Sequence, residues 1–232
     1  MKDILRGLKA IIFDLDGVIV NTMPFHARAW QDTFKKFNIN VTKKEIYLRE
    51  GEKWDKTFFD ILKKNKIKIT KTIKEEVFRH RENVFKNILK IRIFKDAPPL
   101  IKGLKKRGFK LALVTGTPRK EVKRILPKQL YRLFDVIIPS DEVKRGKPHP
   151  EPYRKALRAL KTAPYETIVI ENAPNGIIAA KRANMKVIAV ETSLSKRYLK
   201  KADFILGSLS EIRLSCHCEE AAEGGRRSNL GR

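Results

Sequence analysis

The chain contains little cysteine. Of its 232 residues only two are cysteines, Cys216 and Cys218, and both lie near the C-terminal end of the sequence. Two cysteines separated by a single residue cannot bracket a fold in the way that structural disulfides do. This favours a reducing compartment and a fold that is held together by its hydrophobic core. A chain of this length is long enough to bury such a core.

Long apolar runs are absent as well. No uninterrupted hydrophobic stretch approaches the roughly 18 to 20 residues that a membrane-spanning helix requires. The first ten residues, "MKDILRGLKA", carry charges at short intervals and have no apolar segment of the kind found in signal peptides. We therefore expect a soluble, cytoplasmic protein without a membrane partner. The sequence does not show the oligomeric state, and a monomer is favoured.

Acidic residues are scarce relative to basic ones. Asp and Glu total 26 against 52 Lys and Arg, which gives a formal net charge of +26. Such a charge creates a long-range positive potential that favours anionic partners. However, the sequence has no zinc finger, RRM signature or basic zipper, so we expect solvated lysine-rich helix faces and no nucleic-acid partner. A basic protein that binds nucleic acid is the alternative from a different functional class.

Six short runs rich in β-branched residues recur between turn residues. They lie at 9–17, 110–117, 134–140, 167–172, 186–192 and 202–206. Such runs are typical of strands that are buried on both faces of a parallel sheet. Helix-period segments opened by Pro118, Pro150 and Pro174 separate the later runs. The alternation predicts an α/β fold with a doubly wound, Rossmann-like parallel sheet.

The segment between the first two runs has a different character. It is rich in helical patterns such as "PFHARAWQDTFKKF", whose aromatic residues fall on one stripe of a helix. Prolines in "NTMP" (21–24) and "FKDAPP" (94–99) mark the two places where the chain crosses between the parts. We therefore predict an α/β core made of residues 1–22 and 96–208, with an inserted helical domain at 23–95.

The C-terminal end changes in composition from residue 209 onward. Apolar periodicity is weak there, and paired glycines and charges of both signs are frequent. These features predict a disordered tail over 209–232. Its Cys216, His217 and Cys218 are three metal-binding side chain types, but a closed zinc site takes four ligands and no second half lies nearby. We expect no metal in this tail.

Two carboxylates follow the first strand. Asp14 and Asp16 lie near the end of the apolar run "IIFDLDGVIV" (11–20). In doubly wound sheets, ligands bind in the crevice beyond the carboxyl ends of the strands. Two neighbouring carboxylates repel one another and are costly to bury, so they need cations or many hydrogen-bond donors around them. A metal ion with a phosphate ligand meets this need; the alternative is that both acids cap loop amides.

Further polar groups follow other predicted strands. Residues 115–117, Thr-Gly-Thr, precede a proline-opened helix, where a hydroxyl, a glycine and helix N-terminal amides can surround an anion. Lys147 lies in a loop stiffened by prolines and is suited to be a positioned point charge. Glu171 and Asn172 end the fourth run and offer oxygen ligands that suit Mg²⁺.

Together these motifs resemble those of the haloacid dehalogenase superfamily, in the branch that carries a helical cap after the first strand. The matching stretches are "FDLDGVIVNT", "VTGT", "RGKPHPEPY" and "IENAPNGIIAAKRANM", and the resemblance covers residues 8–207. Each motif alone is weakly specific, whereas four in this order and spacing are very specific. Within the branch, the chain is similar to β-phosphoglucomutase and to the sugar-phosphate and phosphoglycolate phosphatases.

The resemblance implies a role for each strand-end residue. Asp14 would be the nucleophile that attacks phosphorus to give an aspartyl-phosphate, and Asp16 would be the general acid and base. Thr115 would hydrogen-bond a phosphate oxygen, and Lys147 would balance its charge. A Mg²⁺ ion would be held by Asp14, the backbone carbonyl of Asp16, Glu171 and Asn172.

One of these positions departs from the commonest pattern of the family, which has Asp where this chain has Asn172. An amide still offers an oxygen to a metal ion but removes one formal charge. A unit charge is worth about 4 kcal/mol per unit partner at 4 Å and an effective dielectric near 20. We expect a functional site with weakened Mg²⁺ affinity, and a catalytically silent relative is the alternative.

The cap side of the cleft departs from the mutases. They have a cap-loop arginine for a second phosphate, whereas the aligned stretch "REGEKWDK" has Trp54 near that place. For His26 the alternative to facing the cleft is packing within the cap, and for Arg119 it is solvation in its helix. Glu50, Gly51, Lys53 and Arg81 could line the cleft from the cap side, and the alternative for each is an exposed position in a helix or loop. The candidate substrate-binding residues are Gly116, Thr117, Arg119, His26, Gly51 and Lys53.

The sequence therefore predicts a Mg²⁺-dependent phosphatase that removes phosphate from a small phosphorylated metabolite of the sugar phosphate or phosphoglycolate type. The cap is expected to close over the site and exclude water. Phosphoryl transfer of the phosphoglucomutase type is the second candidate. The substrate itself stays open, because specificity depends on the orientation of cap side chains.

Overall fold

The structure, a computed structural model, describes residues 4–68 and 70–214. Its sheet consists of β1 (Ala10–Phe13), β2 (Lys110–Val114), β3 (Val136–Ile138), β4 (Thr167–Glu171), β5 (Lys186–Val190) and β6 (Phe204–Leu206). The strands run in the order β3-β2-β1-β4-β5-β6, and every neighbouring pair is parallel. Each strand lies inside one of the six runs read from the sequence. The doubly wound α/β sheet is confirmed.

Helices dominate the segment between the first two strands. In the described residues they are α1 (Met23–Lys35), α2 (Lys43–Leu48), α3 (Trp54–Lys64) and α4 (Lys71–Ile88). On α1, Ala27, Trp30 and Phe34 are buried at the spacing of one helical face. They pack with Phe58 and Ile61 of α3 in a hydrophobic cluster that is separate from the clusters on the sheet. We call α1–α4 and their connecting loops the cap.

Two adjacent chain segments join the cap to the sheet. Val20 and Ile93 form an antiparallel bridge. The backbone amide of Asn21 donates to the carbonyl of Arg92 at 2.8 Å, and that of Phe94 donates to Ile19 at 3.0 Å. The chain therefore leaves and re-enters the core side by side.

The remaining helices cover both faces of the sheet. They are α5 (Ala97–Lys106), α6 (Arg119–Ile125), α7 (Lys128–Tyr131), α8 (Glu151–Leu160) and α9 (Pro174–Arg182). Ile11 and Phe13 of β1 pack with α5 and α6, whereas Ile12 packs with α8 and α9 on the opposite face. Because successive strand side chains alternate between faces, burial on both sides explains the uninterrupted apolar runs. No helix of the described chain is long and apolar enough to cross a lipid bilayer.

The predicted start of a disordered tail at residue 209 is wrong. Residues Leu209–Glu211 form a 3₁₀ turn, and Leu209 and Ile212 are buried in the hydrophobic cluster that contains α5. Because the two side chains are three residues apart, a single turn places both on the core. A segment of this length is too short to show a hydrophobic period in the sequence. The rest of the predicted tail, 215–232 with Cys216 and Cys218, lies outside the described residues.

Candidate active site

The loops after β1, β2 and β4 bring polar side chains together at the carboxyl edge of the sheet. β1 lies between β2 and β4, where the strand order reverses, which is the position at which doubly wound sheets bind ligands. Asp14 and Asp16 follow β1, Thr115 follows β2 and Asn172 follows β4, and all four are buried. The structure thus places the strand-end residues of the sequence analysis in one cluster.

Lys147 lies at the centre of this cluster and is 2% exposed. Its Nζ donates to Asp14 Oδ1 at 2.5 Å, to Glu171 Oε1 at 2.6 Å and to the carbonyl of Val114 at 3.2 Å. Burial alone would lower the pKa of Lys147, but the charges of Asp14 and Glu171 outweigh burial and hold this pKa well above its usual range. The ammonium is therefore a fixed positive charge beside Asp14.

The surroundings of Asp14 disfavour its ionised form in spite of this partner. Burial raises the pKa of Asp14 to about 8 against the opposing effect of Lys147, and the charges of Glu171 and Asp16 add to the rise. A nucleophilic carboxylate has to be ionised. Because an opposite charge nearby favours the ionised form, a further cation beside Asp14 would bring it into its reactive state at lower pH.

Asp16 is held by four side-chain donors. Thr22 Oγ1 and His26 Nε2 lie 2.5 and 3.2 Å from Oδ1, and Thr115 Oγ1 and Thr117 Oγ1 lie 3.2 and 2.7 Å from Oδ2. Burial alone would raise the pKa of Asp16. The hydrogen bonds outweigh burial, with His26 contributing most, and keep this pKa well below its usual range. Asp16 is therefore an oriented, ionised carboxylate, and Thr115 is directed at it.

A buried chain of hydrogen bonds leads from the cap to Asp16. It consists of Arg81, His26 and Asp16, and we call it the relay. The NH2 nitrogen of Arg81 lies 2.6 Å from His26 Nδ1. A guanidinium can only donate, so Nδ1 accepts and the ring proton belongs on Nε2, which faces Asp16. Burial lowers the pKa of His26, which agrees with a neutral ring. Of the two alternatives for His26, the structure shows the one that faces the cleft, with its ring stacked on Phe85 at 4.3 Å between centroids.

Arg81 is fully buried in an aromatic cage. Its guanidinium carbon lies 3.7 Å from the centroid of Trp54, and 5.2 and 5.1 Å from those of Trp30 and Phe85. Burial lowers the pKa of Arg81 to about 9. Its Nε and NH1 have no hydrogen-bond partner among the described residues. A sequence signal existed, because Arg81 falls in the buried stripe of α4 between Val77 and Phe85, where an apolar residue is expected.

Both carboxylate oxygens of Glu171 are already engaged. Oε1 accepts from Lys147 and from the hydroxyl of Tyr153 at 3.0 Å, and Oε2 accepts from the backbone amides of Asn172 at 2.8 Å and Ala173 at 3.1 Å. In this arrangement Glu171 orients Lys147 and the loop that carries Asn172. A metal bound to Glu171 would have to share or replace one of these contacts, and its role as a ligand stays a prediction.

Asn172 reaches across to the cap. Its Nδ2 donates to Ser193 Oγ and to Glu50 Oε2, both at 3.1 Å. Gly17 makes room for the amide, because it has a φ of +84° and a Cβ there would lie 2.0 Å from Asn172 Nδ2. Asn172 Oδ1 and Glu50 Oε1 are buried and have no hydrogen-bond partner among the described residues.

These oxygens bear on the predicted Mg²⁺ site. In the described part of the chain, no three His, Cys, Asp or Glu side chains form a cluster typical of a bound metal ion. A hard cation at the strand ends would therefore use Asp14 together with amide or backbone oxygens, which suit Mg²⁺. The buried, unpartnered Oδ1 of Asn172 fits this requirement.

The cap loop after α2 lies directly on the core. Gly51 has a φ of +82°, and a Cβ there would lie 2.7 Å from Cδ of Lys147. A Cβ on Gly116 would approach the backbone of Gly51 to 3.2 Å. Asn175 Nδ2 donates to the carbonyl of Leu48 at 3.1 Å. Gly51 and Gly116, two of the candidate residues, therefore permit a close approach of the cap to Lys147.

Two other candidate substrate-binding residues are directed elsewhere. Lys53 Nζ donates to the carbonyl of Val143 at 2.5 Å. The guanidinium of Arg119 donates to Glu142, to the hydroxyl of Tyr131 and to the carbonyl of Ile137. Neither belongs to the described residues that line the cleft. These hydrogen bonds hold both side chains at the core surface, outside the lining of the cleft.

A cavity of about 50 Å³ lies between the cap and the core. The polar residues around it include Asp14, Asp16 and Thr117 from the core and Glu50, Arg49 and Arg81 from the cap. This space holds only a few water molecules. A phosphorylated sugar would enter only when the cap moves away from the core, so the described state is a closed one.

The chain is similar in sequence and structure to several known proteins. A family model described as haloacid dehalogenase-like hydrolase matches residues 11–190. The pyrophosphatase PpaX of Oceanobacillus iheyensis is 28% identical over 210 residues, which cover 89% of this chain and 95% of the relative. The structure of β-phosphoglucomutase from Clostridium difficile is 25% identical with a TM-score of 0.78, and the match covers 94% of this chain and 96% of that one. CbbY from Rhodobacter sphaeroides, solved in complex with phosphate, is 26% identical with a TM-score of 0.74, and the match covers 88% of this chain and 96% of that one.

The matched region extends from β1 to the end of β5 and contains every strand-end residue of the site. The motifs, the sheet and the comparisons agree with one another, and they identify an enzyme of the phosphatase type. The chain belongs to the haloacid dehalogenase-like hydrolase family.

Proposed function

We propose that the protein is a Mg²⁺-dependent phosphohydrolase that removes phosphate from a small phosphorylated metabolite through an aspartyl-phosphate on Asp14. The observation that carries the proposal is that two neighbouring carboxylates have different surroundings. Asp14 lies beside the ammonium of Lys147, whereas Asp16 is held by four donors. Membership of the hydrolase family and the likeness to a protein named pyrophosphatase support it.

The first step is an in-line displacement. The carboxylate of Asp14 forms a bond to phosphorus while the bond from phosphorus to the leaving oxygen breaks. Lys147 offsets negative charge at the reacting oxygens, because its ammonium is already fixed 2.5 Å from Asp14. Asp16 is ionised in the free protein. The negative charge of a phosphate bound beside it favours the protonated form of Asp16, which then donates its proton to the leaving oxygen.

The second step releases phosphate. Asp16, ionised again after the first step, removes a proton from water as the water attacks the phosphorus and the bond from phosphorus to the Asp14 carboxylate breaks. The low pKa of Asp16 keeps it ionised at neutral pH, and the relay from Arg81 through His26 holds its orientation. Thr117 fixes the other oxygen at 2.7 Å.

Bound Mg²⁺ would supply charge neutralisation at the transferring phosphoryl group. The residues that would hold it are Asp14, the backbone carbonyl of Asp16 and Asn172, with Glu171 as a further candidate. The buried, unpartnered oxygen of Asn172 supports this set.

Substrates with a second anionic group are favoured by the cap. Arg49 and Arg81 both line the cavity, and two nitrogens of Arg81, Nε and NH1, have no hydrogen-bond partner among the described residues. A ligand that accepts hydrogen bonds from such buried donors binds with higher affinity than one that leaves them unpaired. The same observation keeps phosphoglucomutase-like transfer as a second candidate, since a bisphosphate intermediate also carries two anionic groups.

A phosphatase screen with Mg²⁺ tests the proposal, with sugar phosphates, phosphoglycolate, pyrophosphate and nucleotides as substrates. The variant Asp14→Asn is the blank. We expect release of phosphate from one of these compounds and a fluoroberyllate adduct on Asp14. Isomerisation of glucose 1-phosphate without phosphate release would select the mutase. No turnover, no adduct and salt-sensitive binding to nucleic acid would instead support the non-enzymatic alternative.

A further inference from the structure

Glu50 is a cap residue whose carboxylate is buried among the acids of the core. It lies in the loop after α2 and is 8% exposed. Burial raises the pKa of Glu50 well above its usual range, and the negative charges of Asp14, Glu171 and Asp16 raise it further. A buried carboxylate surrounded by other carboxylates is costly unless a cation accompanies it.

The core does not provide that cation. Four carboxylates converge at the strand ends, those of Asp14, Asp16, Glu50 and Glu171. Among the described residues, Lys147 is the only Lys or Arg that is hydrogen-bonded to any of them, and it contacts Asp14 and Glu171. The contact that holds Glu50 is a neutral one, from Asn172 Nδ2 at 3.1 Å. The cluster therefore carries more negative charge than its basic side chains balance.

The side chains of Asn172 and Glu50 meet at the junction of cap and core. Asn172 is fully buried and provides an oxygen but no charge, while Glu50 provides a charge. Their amide and carboxylate are hydrogen-bonded to each other through one atom each, which leaves Asn172 Oδ1 and Glu50 Oε1 without a partner among the described residues. Oxygens of this kind are ligands for a hard divalent cation.

We propose that Glu50 supplies from the cap the negative charge that Asn172 does not provide, so that the divalent cation binds tightly only when the cap loop lies on the core. The inference rests on the proposed function, because it concerns the same cation. It makes the cap a part of the metal site as well as a cover for the substrate. Cap closure and metal binding would then be coupled, and each would favour the other.

Metal affinity gives the direct test. Mn²⁺ binding to the full chain is titrated by electron paramagnetic resonance, without substrate, for the wild type and Glu50→Gln. The glutamine has the same shape and can still accept from Asn172, so it removes the charge alone. We expect Glu50→Gln to weaken Mn²⁺ binding by about tenfold or more, the effect typical of groups that support a metal site. The exposed Asp55→Asn removes the same charge elsewhere in the cap and should leave the affinity within about twofold.

A charge exchange separates charge from packing. The double variant Glu50→Gln with Asn172→Asp moves the carboxylate from the cap to the core. It should bind Mn²⁺ within about threefold of the wild type, since one carboxylate and one amide are again present. Weak binding by the double variant would overturn the proposal, and this result decides the matter even when Glu50→Gln alone does not fold.

Proteolysis reports on the coupling. Trypsin cleavage after Arg49 and Lys53, followed by mass spectrometry, measures how far the cap loop is exposed. Mn²⁺ should protect these two sites in the wild type, and it should no longer protect them in the double variant although that variant still binds metal. Equal protection in both proteins would overturn the proposal.

The test distinguishes the inference from the proposed function. A wild type that hydrolyses substrate and forms the Asp14 adduct, together with a Glu50→Gln variant of unchanged Mn²⁺ affinity, would overturn only the role of Glu50. A wild type that binds neither Mn²⁺ nor Mg²⁺ and forms no adduct would overturn both.

Discussion

The core wall and the cap wall of the cleft differ in how completely their charged side chains are hydrogen-bonded. On the core wall, the carboxylates of Asp14, Asp16 and Glu171 are hydrogen-bonded to side chains that are themselves fixed. On the cap wall, Glu50 and Arg81 leave buried polar atoms without a partner among the described residues. Charged groups that are already held in place suit the bond-making step, because they need no reorganisation. Buried polar atoms without a partner suit recognition, because they favour ligands that can pair with them.

The two regions also differ in packing. The core is an aliphatic sheet covered on both faces, whereas the cap is built on stacked rings, with Trp30 and Phe34 at 5.4 Å and Phe34 and Phe58 at 5.9 Å between centroids. Because the cap has a hydrophobic cluster of its own, it can move relative to the sheet without exposing the core. The separate packing of the two regions supports the proposal that the cap moves over a rigid core.

The largest expected effect is on the core wall, from Asp14→Asn. Loss of the nucleophile should reduce kcat for p-nitrophenyl phosphate by about 10⁴-fold or more. The same change removes a carboxylate that is costly to bury, so the melting temperature of the metal-free protein should rise by about 3 °C or more. Steady-state kinetics and calorimetry measure the two effects. A variant that retains activity would remove Asp14 from the chemistry.

On the cap wall, Arg81→Met should lower kcat by about 10- to 100-fold, because Asp16 loses the relay that orients it as acid and base. Stability should be unchanged or higher, since an incompletely paired buried charge is replaced by an apolar side chain. The pH profile of kcat should shift as well. The exposed Arg79→Met on the same helix is the control. A change in KM alone would show that Arg81 binds substrate without positioning Asp16.

The pH dependence of stability tests the electrostatics of the core wall. The pKa of Asp14 rises from 3.8 to about 8 on folding. A carboxyl with a raised pKa is best tolerated when protonated, so its stabilising effect is full below pH 3.8 and is lost as the pH rises through about 8. Thermal melts of the metal-free protein should therefore fall by a few degrees over this range. The fall should be smaller in Asp14→Asn and with saturating Mg²⁺, and an equal fall in all three would contradict the assignment.

The smallest expected effect is that of Arg119→Ala. Its guanidinium is bound to Glu142, Tyr131 and Ile137 on the core surface. KM should change by less than about twofold, and stability by less than about 1 kcal/mol, as is usual for exposed ion pairs. Substrate titrations and melts measure both. A tenfold rise in KM would show that Arg119 reaches the substrate when the cap opens.

Much of the core could be predicted from the sequence because its signals are local. Each strand is a short β-branched run, and Asp14, Thr115 and Asn172 stand directly behind three of them. Parallel strands end at a common edge, so residues placed in this way must meet. The burial of Leu209 and Ile212 was not predicted, because two apolar residues in a polar segment give no local periodic signal.

The cap wall could be predicted only in outline. Aromatic periodicity indicated its helices, but not that Arg81 would lie under Trp54 or point toward His26. The sequence left open whether Lys53 and Arg119 face the cleft, because a long charged side chain can reach several nearby acceptors.

By itself, the sequence determined the sheet, the strand-end acids and the family, because period, spacing and chain order are enough to place residues on a parallel sheet. Only the tertiary structure decided which cap groups complete the site. Glu50 and Asn172 are 122 residues apart, and their contact depends on how two separately packed regions dock. No local pattern encodes that docking, since it follows from the sum of many contacts across the cleft.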